Sequence, residues 1–434
     1  MSGRIGNMSM EQVREVPFGE LFEEPTRNGL TRPKAVRGVG TKMVNMGELF
    51  AFPRIHDAPM DRVPLSDSEE ERCLLNNGDL LFARQSLVLE GAGKCSIFLR
   101  DNEPVTFESH VTRVRLDSQK ASPLFYFYYF QSPHGRAAIR SIVEQGAGAS
   151  GIRGSDLGRL AVLMLPIETQ RTAAEILGTL DDKIELNRKR NETLEAMARA
   201  LFQSWFVDFD PVRAKAAGRD TGLPREIADL FPDRFQDSES GKIPKGWKIG
   251  TFGNVAEHQR RSIQPDRIEP ETPYIALEHM PRHCIAISNW DGAENLESNK
   301  FEFKKGEILF GKLRPYFHKV GIAPVDGVCS TDIVVIAPKR EDWFGFVLGH
   351  AMSDAFVKHL NAGSTGTKMP RTSWSAMARY TITIPTESVA AAFADRLRPV
   401  IERMIFGIHH SRTLAAIRDA LLPRLISGEL KCAE

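Results

Sequence analysis

The sequence lacks any uninterrupted apolar run of the roughly 18 residues that a membrane-spanning helix needs. Its 434 residues include only five cysteines, which lie far apart without a CxxC pair, so neither a disulfide framework nor a zinc cluster is expected. The first residues lack the basic-then-apolar pattern of an export signal, which favours a reduced, cytoplasmic protein. An excess of one charge is also missing, because 57 basic residues balance 56 acidic ones. That balance neither favours nor excludes binding to nucleic acid.

The sequence contains partial matches to several enzyme motifs, but each of them lacks a required residue or context. Residues 306–313 have the glycine and lysine spacing of a phosphate-binding loop, but Leu313 stands where a Ser or Thr must hold magnesium. Residues 146–151 spell GxGxxG, yet we expect a helix before them and a strand after, the reverse of a dinucleotide fold. His279 and His283 flank a proline and have no evident third ligand, which favours surface histidines. We therefore predict no catalytic residue, no metal ligand and no cofactor site.

The sequence does contain an internal repeat, with a period of about 220 residues. Asn77–Phe82 (NGDLLF) recurs as Lys305–Phe310 (KGEILF), and Phe18-Gly19 recurs as Phe252-Gly253. Between and after these matches come a Gly-rich loop (148–153 and 363–368), a segment ending in proline (163–166 and 382–385) and a helical segment (193–201 and 413–421). The shared order predicts an α/β (α+β) fold with two similar globules, each followed by a helix.

The two helical segments carry apolar residues at alternating spacings of three and four, typical of a coiled-coil seam. The seam is Leu177, Leu180, Ile184, Leu194 and Leu201 in the first helix and Leu397, Val400, Leu414 and Leu421 in the second. Polar or small residues occupy the middle of both seams, which fixes the register at a cost in stability. We predict that the helices pair antiparallel and act as a spacer between the globules. The alternative, that each helix packs on its own globule, remains open.

These patterns divide the chain into five segments. They are a first globule (1–167), a first spacer helix (168–210), a connector (211–244), a second globule (245–386) and a second spacer helix (387–434). In the first globule we predict a helix over residues 124–145. Its aromatic run is expected to pack in the core rather than stack on bases.

Basic and amide side chains follow the repeated strand and end the Gly-rich loop in both halves. Arginine and lysine can pair with guanine, glutamine with adenine, and all of them can contact phosphates. The candidates for DNA contact are Arg84, Gln85, Lys94 and Arg153 in the first half and Lys312, Arg314, Tyr316, Lys319, Lys368 and Arg371 in the second. A solvated or ion-paired surface is the alternative. Phe206 and Phe209, beyond the first seam, are expected either to dock a partner or to be buried against the second globule.

With these features, the chain resembles the specificity subunits of type I restriction–modification systems. The most specific stretches are Leu177–Arg188 (LGTLDDKIELNR) and Leu201–Pro211 (LFQSWFVDFDP), supported by Ile243–Trp247 (IPKGW) and Leu421–Leu430 (LLPRLISGEL). The resemblance implies two target recognition domains separated by two long antiparallel helices that form a coiled coil. Each domain is then expected to read one half of a bipartite target in double-stranded DNA.

The same resemblance implies a non-catalytic chain whose helices set the gap between half-sites and dock two methylation subunits. Restriction and translocation subunits join that complex. S-adenosylmethionine, ATP and magnesium are expected in those partners and not in this chain. The alternative function is a structural scaffold that assembles partners on DNA without reading sequence. A single-chain nuclease or methyltransferase would need active-site motifs that the sequence lacks.

Overall fold

The computed structural model describes residues 13–146, 148–239, 241–364 and 369–430. The chain forms two compact units, and the boundary between them falls inside both long helices. Unit 1 comprises residues 1–182 and 414–434, and unit 2 comprises residues 183–413. In the described part of the chain, no helix is both long and apolar enough to cross a membrane.

Unit 1 is built on a five-stranded sheet with the repeated strand Leu80–Ala83 at its centre. The strands of this sheet lie in the order Arg27–Asn28, Val111–Val114, Leu80–Ala83, Cys95–Phe98, Arg54–Ile55. Its other strands form the groups Asp61–Val63, Thr41–Val44, Val105–Phe107; Glu144–Gln145, Ser150–Gly151, Gln85–Ser86; and Arg14–Pro17, Ala161–Met164. Its short α-helices are Met46–Ala51, Asp67–Cys73, Pro123–Gln131, Pro133–Ser141 and Gly154–Arg159. Leu80 and Phe82 enter one apolar core and Leu81 and Ala83 another, so the central strand is apolar on both faces.

The helix predicted over residues 124–145 is two helices in the structure. Pro123–Gln131 and Pro133–Ser141 are separated at Ser132, and Glu144–Gln145 is a strand. A residue before proline is disfavoured in the helical region, and here the Ser132 hydroxyl accepts a hydrogen bond from Gly135 N at 3.2 Å to cap the second helix. The aromatic side chains of Phe125 to Phe130 are buried, as the core interpretation predicts.

Unit 2 repeats this plan around the strand Ile308–Gly311. A four-stranded sheet has the order Ala256–His258, Ile333–Pro338, Ile308–Gly311, Val320–Ile322. A five-stranded sheet has the order Ser262–Ile263, Lys300–Phe303, Gly327–Cys329, Pro273–Ile275, Asp291–Gly292. Two further strand pairs are Lys248–Thr251 with Thr381–Ile384 and Phe235–Ser238 with Gly241–Pro244. Its short α-helices are Asp210–Ala216, Arg225–Ala228, Phe252–Val255, Phe344–Ala351, Asp354–Ala362 and Trp374–Ala378. Ile308 and Phe310 enter one core and Leu309 another, the same division as in unit 1.

The duplication read from the sequence is confirmed by this topology. In each unit, one strand, Arg14–Pro17 in unit 1 and Lys248–Thr251 in unit 2, pairs antiparallel with the strand that leads into a long helix. The repeated Phe-Gly dipeptide follows that strand in both copies. A Cβ on Gly19 would lie 2.9 Å from Gly158 O, and one on Gly253 would lie 3.0 Å from the Ala378 Cβ. Glycine therefore permits the same close approach in both units.

The two long helices are Ile167–Phe202 and Glu387–Ile426. In unit 2 the Asn187 amide donates to Ser411 Oγ at 3.2 Å, and the Asn191 amide donates to Met404 O at 3.3 Å. From Asn187 to Asn191 in the first helix, the bonded residue of the second helix changes from Ser411 to Met404, so the helices pair antiparallel as predicted. They also enter the globular cores, for example through Leu177 in unit 1. The alternative that was left open therefore also holds in part, since each helix end packs on a globule.

The predicted seam is displaced by one residue along part of each helix. Leu177 and Leu397 are fully buried, whereas Leu180, Ile184, Leu194, Leu201, Val400, Leu414 and Leu421 are only partly buried. Beside the partly buried Leu194 and Leu201, their neighbours Glu195 and Phe202 are buried. The Glu195 carboxylate accepts hydrogen bonds from Ile285 N at 2.8 Å and Arg199 Nη2 at 2.7 Å.

Beyond the first long helix, a π-helical turn Gln203–Val207 leads into the connector. Phe206 is buried in the core of unit 2, with its ring 4.9 Å from that of Phe346, so its expected role as a surface docking residue is wrong. Phe209 is partly buried, with its ring 5.6 Å from that of Trp247 and its backbone in the left-handed region. Burial in the second globule, the alternative interpretation, describes Phe206.

Candidate nucleic-acid interface

In unit 1 the structure joins two segments that the sequence separates by more than 60 residues. Gln85 pairs with Gly151, and Ile152 N donates to Arg84 O at 3.0 Å. The end of the Gly-rich loop therefore lies beside the segment that follows the repeated strand. This pairing brings Arg84, Gln85 and Arg153 to the same edge, as required if they contact one ligand.

The polar groups of these three side chains differ in exposure and in the partners that they contact. Arg84 is partly buried, and its Nη1 lies 3.5 Å from Ser109 O. Arg153 is exposed and forms a surface ion pair with Glu144 at 2.8 Å. Such a pair contributes little to stability and can exchange for a phosphate. Gln85 is exposed, so its amide is accessible to a base edge.

Lys94 is partly buried, and its ammonium is hydrogen-bonded within unit 1. Its ammonium donates to Phe50 O at 2.9 Å and lies 5.0 Å from the centre of the Phe50 ring. Burial lowers the pKa of Lys94, and the nearby Arg136 lowers it further. Arg136 and Arg140 line a cavity of about 80 Å³ with Lys94. Sequence reasoning missed these two arginines, which lie on a helix with no counterpart motif.

Unit 2 reproduces the arrangement of unit 1. Leu313 forms a bridge with Arg371, Arg314 N donates to Pro370 O at 2.7 Å, and Thr372 N donates to Lys312 O at 3.0 Å. The segment after the repeated strand again pairs with the end of a Gly-rich loop. Lys368, another candidate, lies outside the described residues.

Positive charges crowd this edge of unit 2. Burial lowers the pKa of Lys312, and Arg371 and Arg260 lower it further while Asp332 opposes them. Arg371 is exposed and forms an ion pair with Asp332 at 3.2 Å. The pKa of His258 falls to about 4 because of burial and because Arg260 and Lys312 are near. His258 is therefore neutral at pH 7. Arg260 is a further basic residue at this edge, one that the sequence motifs did not indicate.

The remaining candidates of unit 2 lie on the turn that follows. The Tyr316 ring is exposed, and the guanidinium of Arg314 lies 5.7 Å from the Phe317 ring. The Lys319 ammonium donates to Leu277 O, and burial lowers the pKa of Lys319. Arg282, which sequence reasoning missed, stacks 3.8 Å from the centre of the Phe317 ring.

One cluster in the described part of the chain has the composition of a metal site. His283, His318 and Asp354 offer ligand atoms within 4.8 Å of one another. Burial lowers the pKa of His318, and the positive charge of Arg199 lowers it further. The same charge opposes a bound cation, so the cluster is a weak metal site. His279 is engaged elsewhere, since its Nδ1 accepts from Ala276 N at 2.9 Å.

Comparison with known proteins identifies the family. A family model for the type I restriction modification DNA specificity domain matches residues 64–196. The type I restriction enzyme HindI specificity subunit of Haemophilus influenzae is 24% identical over 404 residues, covering 82% of this chain and 87% of the relative. The MjaIX specificity subunit of Methanocaldococcus jannaschii is 25% identical over 317 residues, covering 71% and 69%. The chain therefore contains a type I DNA specificity domain and is similar to type I specificity subunits over most of its length.

The fold agrees with that assignment. The crystal structure of the type I restriction–modification S subunit from M. genitalium matches with a TM-score of 0.55 over 97% of both chains, at 12% sequence identity. The fold class expected from the sequence is thereby confirmed. As a specificity subunit, the protein is non-catalytic and serves DNA sequence recognition. The comparisons give no support to a scaffold that ignores sequence.

Proposed function

We propose that each unit of this specificity subunit reads one half of a bipartite DNA target. The observation that carries the proposal is the shared pairing described above, in which Arg84–Gln85 and Lys312–Arg314 each lie against the end of a Gly-rich loop. Two copies of one basic edge suit two half-sites, because arginine and lysine side chains can contact both phosphates and guanine edges.

Among the candidates, the proposed DNA contacts are four exposed side chains, Gln85, Arg153, Tyr316 and Arg371, and three partly buried ones, Arg84, Lys312 and Arg314. Lys368 is retained from the sequence. Arg136, Arg140, Arg260 and Arg282 join them as basic neighbours. The ammonium groups of Lys94 and Lys319 are hydrogen-bonded to backbone carbonyls, so we assign them a supporting role.

The long helices are the proposed spacer and docking surface. Their exposed apolar residues include Leu186, Met197 and Phe406 in unit 2. Leu186 and Phe406 line a groove of about 440 Å³ together with basic side chains of both helices. We propose that methylation subunits, two per chain, dock on this apolar surface and that restriction subunits join them. S-adenosylmethionine, ATP and magnesium then act in the partners. The free thiols of Cys73, Cys95, Cys284 and Cys329 suit a reducing cytoplasm.

The test is the pattern of DNA methylation made by the complex of this chain with its methylation subunits. Two short words with a fixed gap are expected. Arg153→Ala should loosen only the word read by unit 1, and Arg371→Ala only the other, with a loss of about 1–3 kcal/mol of discrimination per affected base pair. Arg225→Ala, an exposed arginine of the connector, is the matched control. Equal loosening of both words by either variant would contradict base recognition and indicate general phosphate contact.

A further inference from the structure

Each unit contains a loop that leaves its central strand and returns to it. Loop A comprises residues 84–94 and closes where Ala83 N donates to Lys94 O at 2.9 Å. Loop B comprises residues 312–319 and closes where Gly311 N donates to Lys319 O at 2.9 Å. Ala83 and Gly311 are equivalent positions of the sequence repeat. The two loops are therefore copies of one device.

Both loops begin with a basic residue and end with a lysine whose ammonium is hydrogen-bonded to a backbone carbonyl. The ammonium of Lys94 donates to Phe50 O, and that of Lys319 donates to Leu277 O. Each lysine ties the base of its loop to a carbonyl of a neighbouring segment. This contact orders the loop before any ligand arrives, which reduces the entropy lost on binding.

The tips of these ordered loops expose apolar side chains. Leu87 is 90% exposed, Val88 is 59% exposed and Tyr316 is 46% exposed. Val88 and Tyr316 occupy the same repeat position, and a short 3-10 helix forms part of each loop at Leu89–Gly91 and Pro315–Phe317. In loop A the Ser86 hydroxyl accepts a hydrogen bond from Val88 N at 3.2 Å, which helps to hold the turn.

We propose that these tips insert apolar side chains against DNA bases, Leu87 and Val88 in one half-site and Tyr316 in the other. The inference rests on the proposed function and names the residues that add specificity to it. Basic residues lie at the base of both loops, Arg84 and Arg153 in unit 1 and Lys312 and Arg371 in unit 2, which complements a phosphate backbone. Apolar side chains among cations suit a groove, where they can contact thymine methyl groups or wedge between base pairs.

The experiment measures binding of the complex with its methylation subunits to matched and single-mismatch duplexes over a range of salt. Leu87→Ala with Val88→Ala should lower discrimination at one or two positions of one word by about tenfold. Tyr316→Ala should do the same in the other word. The slope of log affinity against log salt should stay unchanged, because no charge is removed, whereas Arg371→Ala should reduce it by about one.

Two controls keep the outcomes distinct. Val39→Ala removes an apolar side chain that is 72% exposed on another turn of unit 1 and should change nothing. Val88→Thr preserves shape and should keep part of the discrimination even if the double variant folds poorly. If the unaltered complex discriminates but the tip variants do so equally well, the inference fails and the proposed function stands. If the unaltered complex itself ignores sequence, the proposed function fails. Loss of subunit assembly in the tip variants would overturn the inference and assign the tips to a protein partner.

Discussion

Asp181 joins three elements of unit 1, and its replacement gives a stringent test of the structure. One carboxylate oxygen accepts a hydrogen bond from the Tyr128 hydroxyl at 2.7 Å, and the other accepts one from Arg418 Nη1 at 2.6 Å. These contacts tie the aromatic helix Pro123–Gln131 and the second long helix to the first. Burial and the carboxylate of Asp181 raise the pKa of Tyr128, so its hydroxyl remains a donor at neutral pH.

The expected loss of stability follows from these partners. A hydrogen bond to a charged group contributes about 1.5–3 kcal/mol, and Asp181→Ala removes two of them. Arg418 keeps a second carboxylate, Asp419 at 2.8 Å, which offsets part of the loss. We expect Asp181→Ala to lower the free energy of unfolding by about 2–3 kcal/mol, and Asp181→Asn, which keeps an acceptor, to lower it by less.

The adjacent Asp182 provides a matched control. It forms an ion pair with Arg54 at 2.5 Å, but its side chain is 68% exposed, compared with 14% for Asp181. A surface pair of this kind contributes about 0–1 kcal/mol. Urea unfolding of the full chain, monitored by circular dichroism, compares the two variants at pH 7. Equal destabilisation by Asp181→Ala and Asp182→Ala would refute the reasoning.

Two further predictions concern the spacer and pH. Adding seven residues to each long helix in register should extend the helices by about 11 Å, which corresponds to about three base pairs of DNA. Methylome sequencing should then show a longer gap between unchanged words. Altered bases within a word would contradict the spacer role. Burial lowers the pKa of His350 to about 3, so the imidazole is neutral in the folded protein. Below pH 6.5 the imidazole gains a proton in the unfolded chain but not in the folded one, so the free energy of unfolding decreases as the pH falls from 6.5 towards 3. In urea titrations at pH 7.5 and 5, His350→Leu should lose less stability between the two values than the unaltered chain; equal losses would refute this assignment.

The duplication made most of the fold predictable from the sequence. The repeated strands, their position in the chain and the prolines before the long helices all reflect local patterns that recur twice. The break at Ser132 was missed because the aromatic run before it and the apolar residues after it suggested one continuous helix. Pro133 was the available signal, since a proline often begins a helix at its first turn.

The candidate interface was less predictable because side-chain direction depends on distant segments. Lys94 and Lys319 occur in the expected places, but their ammonium groups are hydrogen-bonded to the carbonyls of residues 50 and 277. Arg260 and Arg282 lie in segments without a repeated motif, so only the fold places them near the predicted residues. Leu87 has no polar group that would mark it as a DNA contact in the sequence. It becomes a candidate because its side chain is exposed, which only the structure shows.

The displaced seam has a geometric cause. A strict heptad pattern assumes 3.5 residues per turn, whereas an α-helix that does not supercoil has 3.6 and drifts by about 20° per heptad. From Leu177 to Leu201, the predicted seam of the first helix spans about 3.4 heptads and accumulates about 70°, most of the roughly 100° between successive residues. The buried face should then move one residue towards the C-terminus, as it does from Leu201 to Phe202. The helices therefore follow the globular cores that they also cover, because Phe202 and Ile401 both pack in the core of unit 2.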